Sequence, residues 1–235
     1  MAIPRILHLT SARVPLVGVE ESFFGRNVRV LGDDWTYRIW SDAENDSAVT
    51  QHFPDLADAY RALPHGVMRA DIARLVYMHV DGGWYADTDY EWLRDPTEVA
   101  AEYDLVLPLS RDAGDAGGER VGNAVFGSIA RHPFWAEVIS DVLSTPMPSD
   151  LPTTAIEATT GPGLLSRHRT EAVNDPRSWL APRRYFHTPV RLSRDSDETL
   201  GTHHTRGSWR ANSLLWRAKM AERQLRRLLT PLRRH

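Results

Sequence analysis

Asp87 and Asp89 stand one residue apart, just after Trp84-Tyr85-Ala86. In extended backbone, residues i and i+2 point to the same face, so the two carboxylates could grip one divalent cation together. A cation held there beside a diphosphate turns that diphosphate into a good leaving group. Mn2+ or Mg2+ suits such a site, because hard cations take oxygen ligands from carboxylates, phosphates and water. The triplet alone has little weight: with 19 Asp in 235 residues, chance supplies roughly one or two. The other triplet, Asp195-Ser196-Asp197, lies among Ser, Arg and Glu with no apolar run beside it, the pattern of a solvated loop. Asp87 and Asp89 instead close a short apolar run behind Gly82-Gly83 and an amphipathic stretch. Carboxylates at the end of a buried strand need a partner.

Ahead of that pair, Asp71 and Arg74 are three apart and share one face of the expected helix. An Asp accepts hydrogen bonds from hydroxyls, and an Arg offers a forked cation to anions. The plain alternative is an i,i+3 salt bridge on a surface helix. His203 and His204 come later, before Gly207-Ser208-Trp209. Either imidazole could complete a metal shell or touch a phosphate; the alternative is a loop histidine with no partner. Trp209 could stack on a base, close a lid or pack in the core. No Gly-x-Gly-x-x-Gly or P-loop phrase supports a dinucleotide or ATP site. No Gly-x-Ser-x-Gly phrase supports a serine hydrolase.

The elements that must position these residues follow from periodicity and punctuation. Ile3 to Leu9 reads as a buried strand, Val19 to Leu31 as a helix and Thr36 to Trp40 as a strand. Asn45 to Leu63 reads as helix broken at Pro54. Val67 to Val80 is a helix, with Ile72, Leu75, Val76 and His79 at helical spacing and Gly82-Gly83 as its stop. Strands are expected at Trp84–Ala86, Asp104–Leu109 and Val121–Gly127, with a Gly- and Asp-rich loop from Arg111 to Arg120. Phe134 to Leu143 reads as a helix and Pro146 to Pro152 as a loop. Leu164 to Val173 reads as a helix after the Gly161-Pro162-Gly163 turn, Trp179 to Thr188 as a strand and Arg210 to Leu229 as a last helix. Strands alternating with helices predict an α/β fold with a mainly parallel sheet.

The length suits one well-buried domain. No apolar run approaches the roughly 18 residues of a membrane span, and no secretory leader is visible. Without cysteine, disulfides and thiolate metal sites are excluded. These features predict a cytoplasmic protein. The 27 Arg against one Lys reflect nucleotide composition bias more than chemistry. Residues 206–235 carry nine basic side chains against Glu222, a net +8, whereas the whole chain is −3 and residues 1–205 are therefore −11. A basic tail on an acidic body predicts contact with an anionic surface, not nucleic acid. Leu214, Leu215, Ala218, Leu225, Leu228 and Leu229 oppose Arg217, Lys219, Arg223, Arg226 and Arg227 on an amphipathic helix that could lie on the inner face of a membrane. Packing of that leucine face on the domain is the alternative.

Asp71-x-x-Arg74 followed by Gly82-Gly83-x-Tyr85-x-Asp87-x-Asp89 resembles the sugar-binding region of glycosyltransferase family 32. That family includes fungal mannosyltransferases and bacterial capsule and lipopolysaccharide sugar transferases; the clostridial glucosylating toxins share the pattern at greater distance. Looser matches are Ile3-Pro4-Arg5-Ile6-Leu7-His8, Thr160-Gly161-Pro162 and His204-x-x-Gly207-Ser208-Trp209. The resemblance implies a GT-A type fold over residues 1–209, with 210–235 as a basic C-terminal helix. It also implies transfer of a sugar from a UDP- or GDP-linked donor to a hydroxyl on a glycan, lipid-linked or small-molecule acceptor, with retention of configuration. By the same resemblance, Asp87 and Asp89 hold the metal and a late His completes the shell: His204, which fits the His-x-x-Gly phrase best, with His203 as the alternative. Asp71 and Arg74 bind the donor's sugar and phosphate region, and Asn123 stands where the family has an Asn that contacts substrate. Read from their places in the chain alone, His8 beside the end of the first strand and Trp209 after the late histidines are the further donor contacts. A silent nucleotide-sugar or glycan-binding module, or a metal-dependent phosphohydrolase, are the competing classes.

Overall fold

The computed structural model describes residues 2–189 and 196–205. The chain divides into two compact units, residues 1–204 and 205–235, and the site lies in the first. Trp209 and the expected helix 210–229 fall outside the described residues.

The elements, in chain order, are β1 (Ile6–Thr10), α1 (Val19–Leu31), β2 (Thr36–Trp40), α2 (Asp42–His52), α3 (Ala57–Arg61), α4 (Gly66–Val80), β3 (Gly83–Ala86) and β4 (Tyr90–Trp92). They continue with β5 (Leu105–Arg111), β6 (Arg120–Val121), β7 (Val125–Ser128), α5 (Pro133–Ser144), α6 (Ile156–Thr159), α7 (Pro162–Arg167), α8 (Arg169–Val173), β8 (Ser178–Ala181), α9 (Arg183–Phe186) and β9 (Gly201–His203). The main sheet has seven strands in the order β2-β1-β3-β7-β5-β6, with β8 also paired to β5. The β1–β2, β1–β3 and β5–β8 pairs are parallel, whereas β7 runs antiparallel to β3 and β5, and β6 to β5. Five strands therefore point one way and two the other. With helices on both faces, this is the expected α/β sandwich with a mainly parallel sheet.

Side-chain alternation splits the core in two. Tyr85, Leu105, Leu107 and Phe126 face α4, α5 and α7, while Leu7, Trp84, Ala86, Val106 and Val125 face the side of α1, β4 and α9. Period-2 placement sends neighbours to opposite faces, so a sheet covered on both sides reads as continuous apolar runs. α2 starts at Ser41, which forms a capping box with Glu44. α4 is enclosed almost all round: Met68, Ile72, Ala73, Leu75, Val76, Tyr77 and Met78 are buried, together with Asp71 and Arg74. Six of those apolar side chains are large, contributing about 10 kcal/mol or more between them. Desolvating two ions costs several kcal/mol each before their mutual attraction. Apolar burial therefore outweighs the charge penalty, and the helix carries its ion pair into the interior.

Gly83 is where α4 passes into β3. Its φ of +92° suits glycine, and an added Cβ would lie 2.7 Å from the Ile6 carbonyl oxygen. The close approach lets β3 pair with β1 immediately after the turn.

Three expected elements are corrected. The strand expected over Trp179 to Thr188 ends at Ala181, because Pro182 stops it and Arg183–Phe186 forms a helical turn. The helix expected over Leu164 to Val173 starts at Pro162 and breaks at His168 into α7 and α8. The strand expected over Val121 to Gly127 is two strands, because Gly122, Asn123 and Ala124 leave the ladder.

Candidate active site

β3, held between β1 and β7, delivers Asp87 just past its carboxyl end, and the chain then turns: Tyr90 N–H donates to the Asp87 carbonyl at 2.9 Å. Asp87 and Asp89 therefore occupy a turn, not the same-face positions of a strand. The turn leads into β4, whose antiparallel partner β9 places Tyr90 opposite His203. His203 Nε2 lies 3.0 Å from Asp89 Oδ1 and 3.7 Å from Asp87 Oδ2. Ligand atoms of Asp87, Asp89 and His203 all come within 4.8 Å of one another. Two carboxylates and an imidazole are a donor set suited to Mn2+ or Mg2+, with room in the shell for phosphate oxygens and water. His204 turns away: its Nε2 lies 2.8 Å from Glu91 Oε2, and its ring sits 4.4 Å from that of Phe23. Burial disfavours a charged His203, but the hydrogen bond to Asp89 and the charges of Asp87 and Asp89 outweigh it. The pKa is held above the ordinary 6.5.

Behind the triad lies a second layer centred on Arg74. Its Nη1 donates to Asp87 Oδ1 at 3.0 Å and to the Asn123 carbonyl at 2.7 Å, and its Nε to the Ala70 carbonyl at 3.3 Å. Its Nη2 lies 3.1 Å from Asp71 Oδ1. A guanidinium has five N–H donors; two go to carboxylates and two to backbone carbonyls, which leaves one over among the described residues. The guanidinium also lies over the Tyr85 ring at 4.5 Å, and the Tyr85 hydroxyl donates to Asp87 Oδ1 at 2.8 Å. The pair is no surface salt bridge: the Arg74 and Asp71 side chains are 7% and 5% exposed.

Asp71 accepts two more hydrogen bonds, from Asn123 Nδ2 at 3.2 Å and from the Thr160 hydroxyl at 2.9 Å. Burial pushes its pKa up to about 6, against the pull of Arg74 and Thr160. At neutral pH it is mostly ionised. Asn123 thus joins the site through both its side chain and its carbonyl.

His8 has a different setting. It is fully buried in β1, with Nε2 2.9 Å from the Gly82 carbonyl and Nδ1 accepting from Trp40 Nε1 at 3.1 Å. That pattern is a neutral ring protonated on Nε2, and burial lowers its pKa to about 4. The structure ties this histidine to the Gly82 turn. Asp197 is exposed and pairs with Arg94, while Asp195 and Trp209 lie outside the described residues. Sequence reasoning missed Tyr85 and Thr160. Tyr85 stood in the quoted motif without a role, and Thr160 in a phrase read as a turn.

Residues 21–106 match the family described as glycosyltransferase sugar-binding region containing DXD motif. Asp71, Arg74, Asp87 and Asp89 all lie within that span. The chain is similar to mannosyl phosphorylinositol ceramide synthase CSH1 of Saccharomyces cerevisiae, 31% identical over 166 residues, covering 70% of this chain and 42% of that protein. It is 27% identical over 228 residues to inositol phosphoceramide mannosyltransferase 2 of Schizosaccharomyces pombe, covering 91% of this chain and 61% of that one. The chain spans about half the length of these relatives. Among solved structures, the fold is similar to the PaToxG glycosyltransferase, with a TM-score of 0.54 at 11% identity, covering 72% of this chain and 70% of that one. At that identity the likeness concerns the fold alone.

Proposed function

We infer, from a chain that belongs to the glycosyltransferases whose sugar-binding region contains the DXD motif, that it moves a hexose from a nucleotide diphosphate sugar to a hydroxyl acceptor. The observation that carries this reading is the convergence of Asp87, Asp89 and His203, tied through Arg74 to the buried Asp71. One relative is named an inositol phosphoceramide mannosyltransferase and the other a mannosyl phosphorylinositol ceramide synthase. GDP-mannose is accordingly the first donor to test, ahead of UDP-linked sugars. A hydroxyl on a phosphorylated inositol lipid is the first acceptor, ahead of other glycans or small molecules.

Asp87, Asp89 and His203 would hold the cation, which supplies charge neutralisation to the departing diphosphate. Arg74 and Tyr85 fix Asp87 by hydrogen bonds to Oδ1, which makes that carboxylate a positioned ligand and not a free nucleophile. Asp71 receives a donor hydroxyl. With no carboxylate assigned as a covalent nucleophile, we favour transfer on one face with retention. The bond from C1 to the phosphate oxygen breaks, the bond from C1 to the acceptor oxygen forms, and the acceptor's proton passes to the leaving phosphate. A thermal-shift panel of nucleotide sugars with and without Mn2+ tests the donor. A ligand at 100 times its Kd adds about 2.7 kcal/mol of stability. No shift with any nucleotide sugar in Mn2+ would sink the reading.

The His203 assignment has its own test. His203→Ala should weaken Mn2+ about tenfold or more, and His204→Ala far less. Since the cation must displace the proton that Asp87 and Asp89 favour on His203, wild-type affinity should fall as pH drops through the raised pKa. Mn2+ titrations between about pH 6 and pH 8 read both effects. Equal losses in the two variants, or a flat pH profile, would remove His203 from the shell.

Location is a proposal resting on sequence alone: peripheral contact of residues 210–229 with an anionic bilayer at its cytoplasmic face. No helix among the described residues is long and apolar enough to cross a membrane. The full chain should sediment with anionic vesicles at low salt and release at high salt, whereas a chain ending at Trp209 should not. Both staying in the supernatant would end the idea.

A further inference from the structure

Thr160 reaches the site from a distant part of the chain. It sits between α6 and α7, 89 residues from Asp71, is 3% exposed, and donates its hydroxyl to Asp71 Oδ2. An ionised carboxylate offers about four acceptor positions. Oδ1 already receives Arg74 Nη2 and Asn123 Nδ2, and Oδ2 receives Thr160. About one position is left, and it is on Oδ2, the oxygen that Thr160 orients.

Three segments therefore fix one carboxylate: Arg74 from within α4, Asn123 from the β6–β7 link, and Thr160 from the α6–α7 turn. Arg74 and Asn123 reach Oδ1 only. Without Thr160, Oδ2 would have no described partner, and the carboxylate plane would lose one of its three restraints. The backbone around Thr160 is itself braced. Its N–H donates to the Ile156 carbonyl at 3.0 Å, and an added Cβ at Gly161 would lie 3.1 Å from Glu157 Cα. The hydroxyl is thus offered from a turn with little freedom to shift.

We propose that Thr160 is a positioning residue for donor recognition: its hydroxyl orients Asp71 Oδ2 so that the carboxylate presents one acceptor position to one hydroxyl of the donor sugar. This rests on the reading of Asp71 as the group that receives a sugar hydroxyl. It predicts a narrow effect. Loss of the Thr160 hydroxyl weakens the sugar's contribution to binding and leaves the nucleotide's contribution alone.

The test measures affinities in Mn2+ by calorimetry for GDP-mannose against GDP and for UDP-glucose against UDP. The quantity read is the ratio of sugar nucleotide to nucleoside diphosphate affinity. Thr160→Val should cut that ratio about tenfold, the scale of one lost hydrogen bond to a charged group. Thr160→Ser should restore it, a rescue that a purely structural role in packing the methyl group does not give. Thr160→Ala serves if the valine protein does not fold. Asp71→Asn, run in parallel, separates the two levels. A reduced ratio in Asp71→Asn with an unchanged ratio in both Thr160→Val and Thr160→Ala overturns the role of Thr160 alone. An unchanged ratio in Asp71→Asn, or a wild-type protein that binds neither sugar nucleotide better than its diphosphate, overturns the reading beneath it as well. Equal loss for sugar nucleotide and diphosphate in the Thr160 variants marks a structural residue and also overturns the proposal.

Discussion

Asp89→Asn should abolish transfer, by about 10²–10³-fold or more, while the protein keeps its fold. The substitution keeps the side chain's shape and removes a charge from the group nearest His203, at 3.0 Å. Asp87→Asn should be as damaging to activity and costlier to the fold, because Asp87 Oδ1 also receives Arg74 and Tyr85. The two variants thus differ in stability more than in rate, and a melting curve beside each assay separates the effects. Asp197→Asn is the control. That carboxylate is exposed and, among the described residues, pairs with the exposed Arg94 on the surface, a kind of contact worth about 0–1 kcal/mol. Near-normal turnover of the Asp89→Asn protein at limiting Mn2+ would contradict the metal assignment.

Arg74→Ala should bring the largest loss of stability, about 3–5 kcal/mol, because it strands the buried Asp71 and frees Asp87. At about 2–4 °C per kcal/mol for a chain of this size, the melting temperature drops by roughly 6–20 °C. Arg74→Lys should lose less, since it keeps the charge but not the fork. The deficit of Arg74→Ala should depend on pH. Asp71 has a folded pKa of about 6, above its ordinary 3.8. A raised folded pKa gives stability that is present below 3.8 and lost as pH rises through about 6. Removing Arg74 raises that pKa further and extends the loss to higher pH. The deficit should therefore be smaller at acidic pH and grow toward neutrality. An alanine protein melting within a degree or two of wild type at neutral pH would mean that Arg74 does not organise the site.

Local signals carried much of this in the sequence. The ends of α1 and β2 agree with the expected ones, and α4 begins within a residue of expectation. Apolar periodicity and glycine punctuation are local properties, and Gly82-Gly83 marks the passage from α4 to β3 without knowledge of the rest of the chain. The Asp71, Arg74, Asp87 and Asp89 spacing was legible for the same reason. What stayed hidden depends on pairing at long range. The His-x-x-Gly phrase favoured His204, but neighbours in a strand face opposite sides, and only the register of β9 on β4 puts His203 beside Asp87 and Asp89 instead. Thr160 meets Asp71 only because α6 and α7 fold back toward α4, and no local pattern announces it. His8 read as a donor contact from its place near a strand end; its two ring bonds appear only once Trp40 and Gly82 are beside it. Pro182, by contrast, was a local signal, and it ended the strand where apolar pattern alone would have carried it on.

The most direct test of the account identifies the products formed from GDP-mannose and UDP-glucose by the full chain, with Mn2+ and again with a chelator. The account predicts release of the nucleoside diphosphate, with the sugar passed to an acceptor or to water, only when Mn2+ is present and not in the Asp89→Asn protein. Release of sugar phosphate would mark a phosphohydrolase. Binding of a sugar nucleotide without turnover under any condition would mark a silent binding module. Turnover unaffected by the chelator would contradict the metal site built on Asp87, Asp89 and His203.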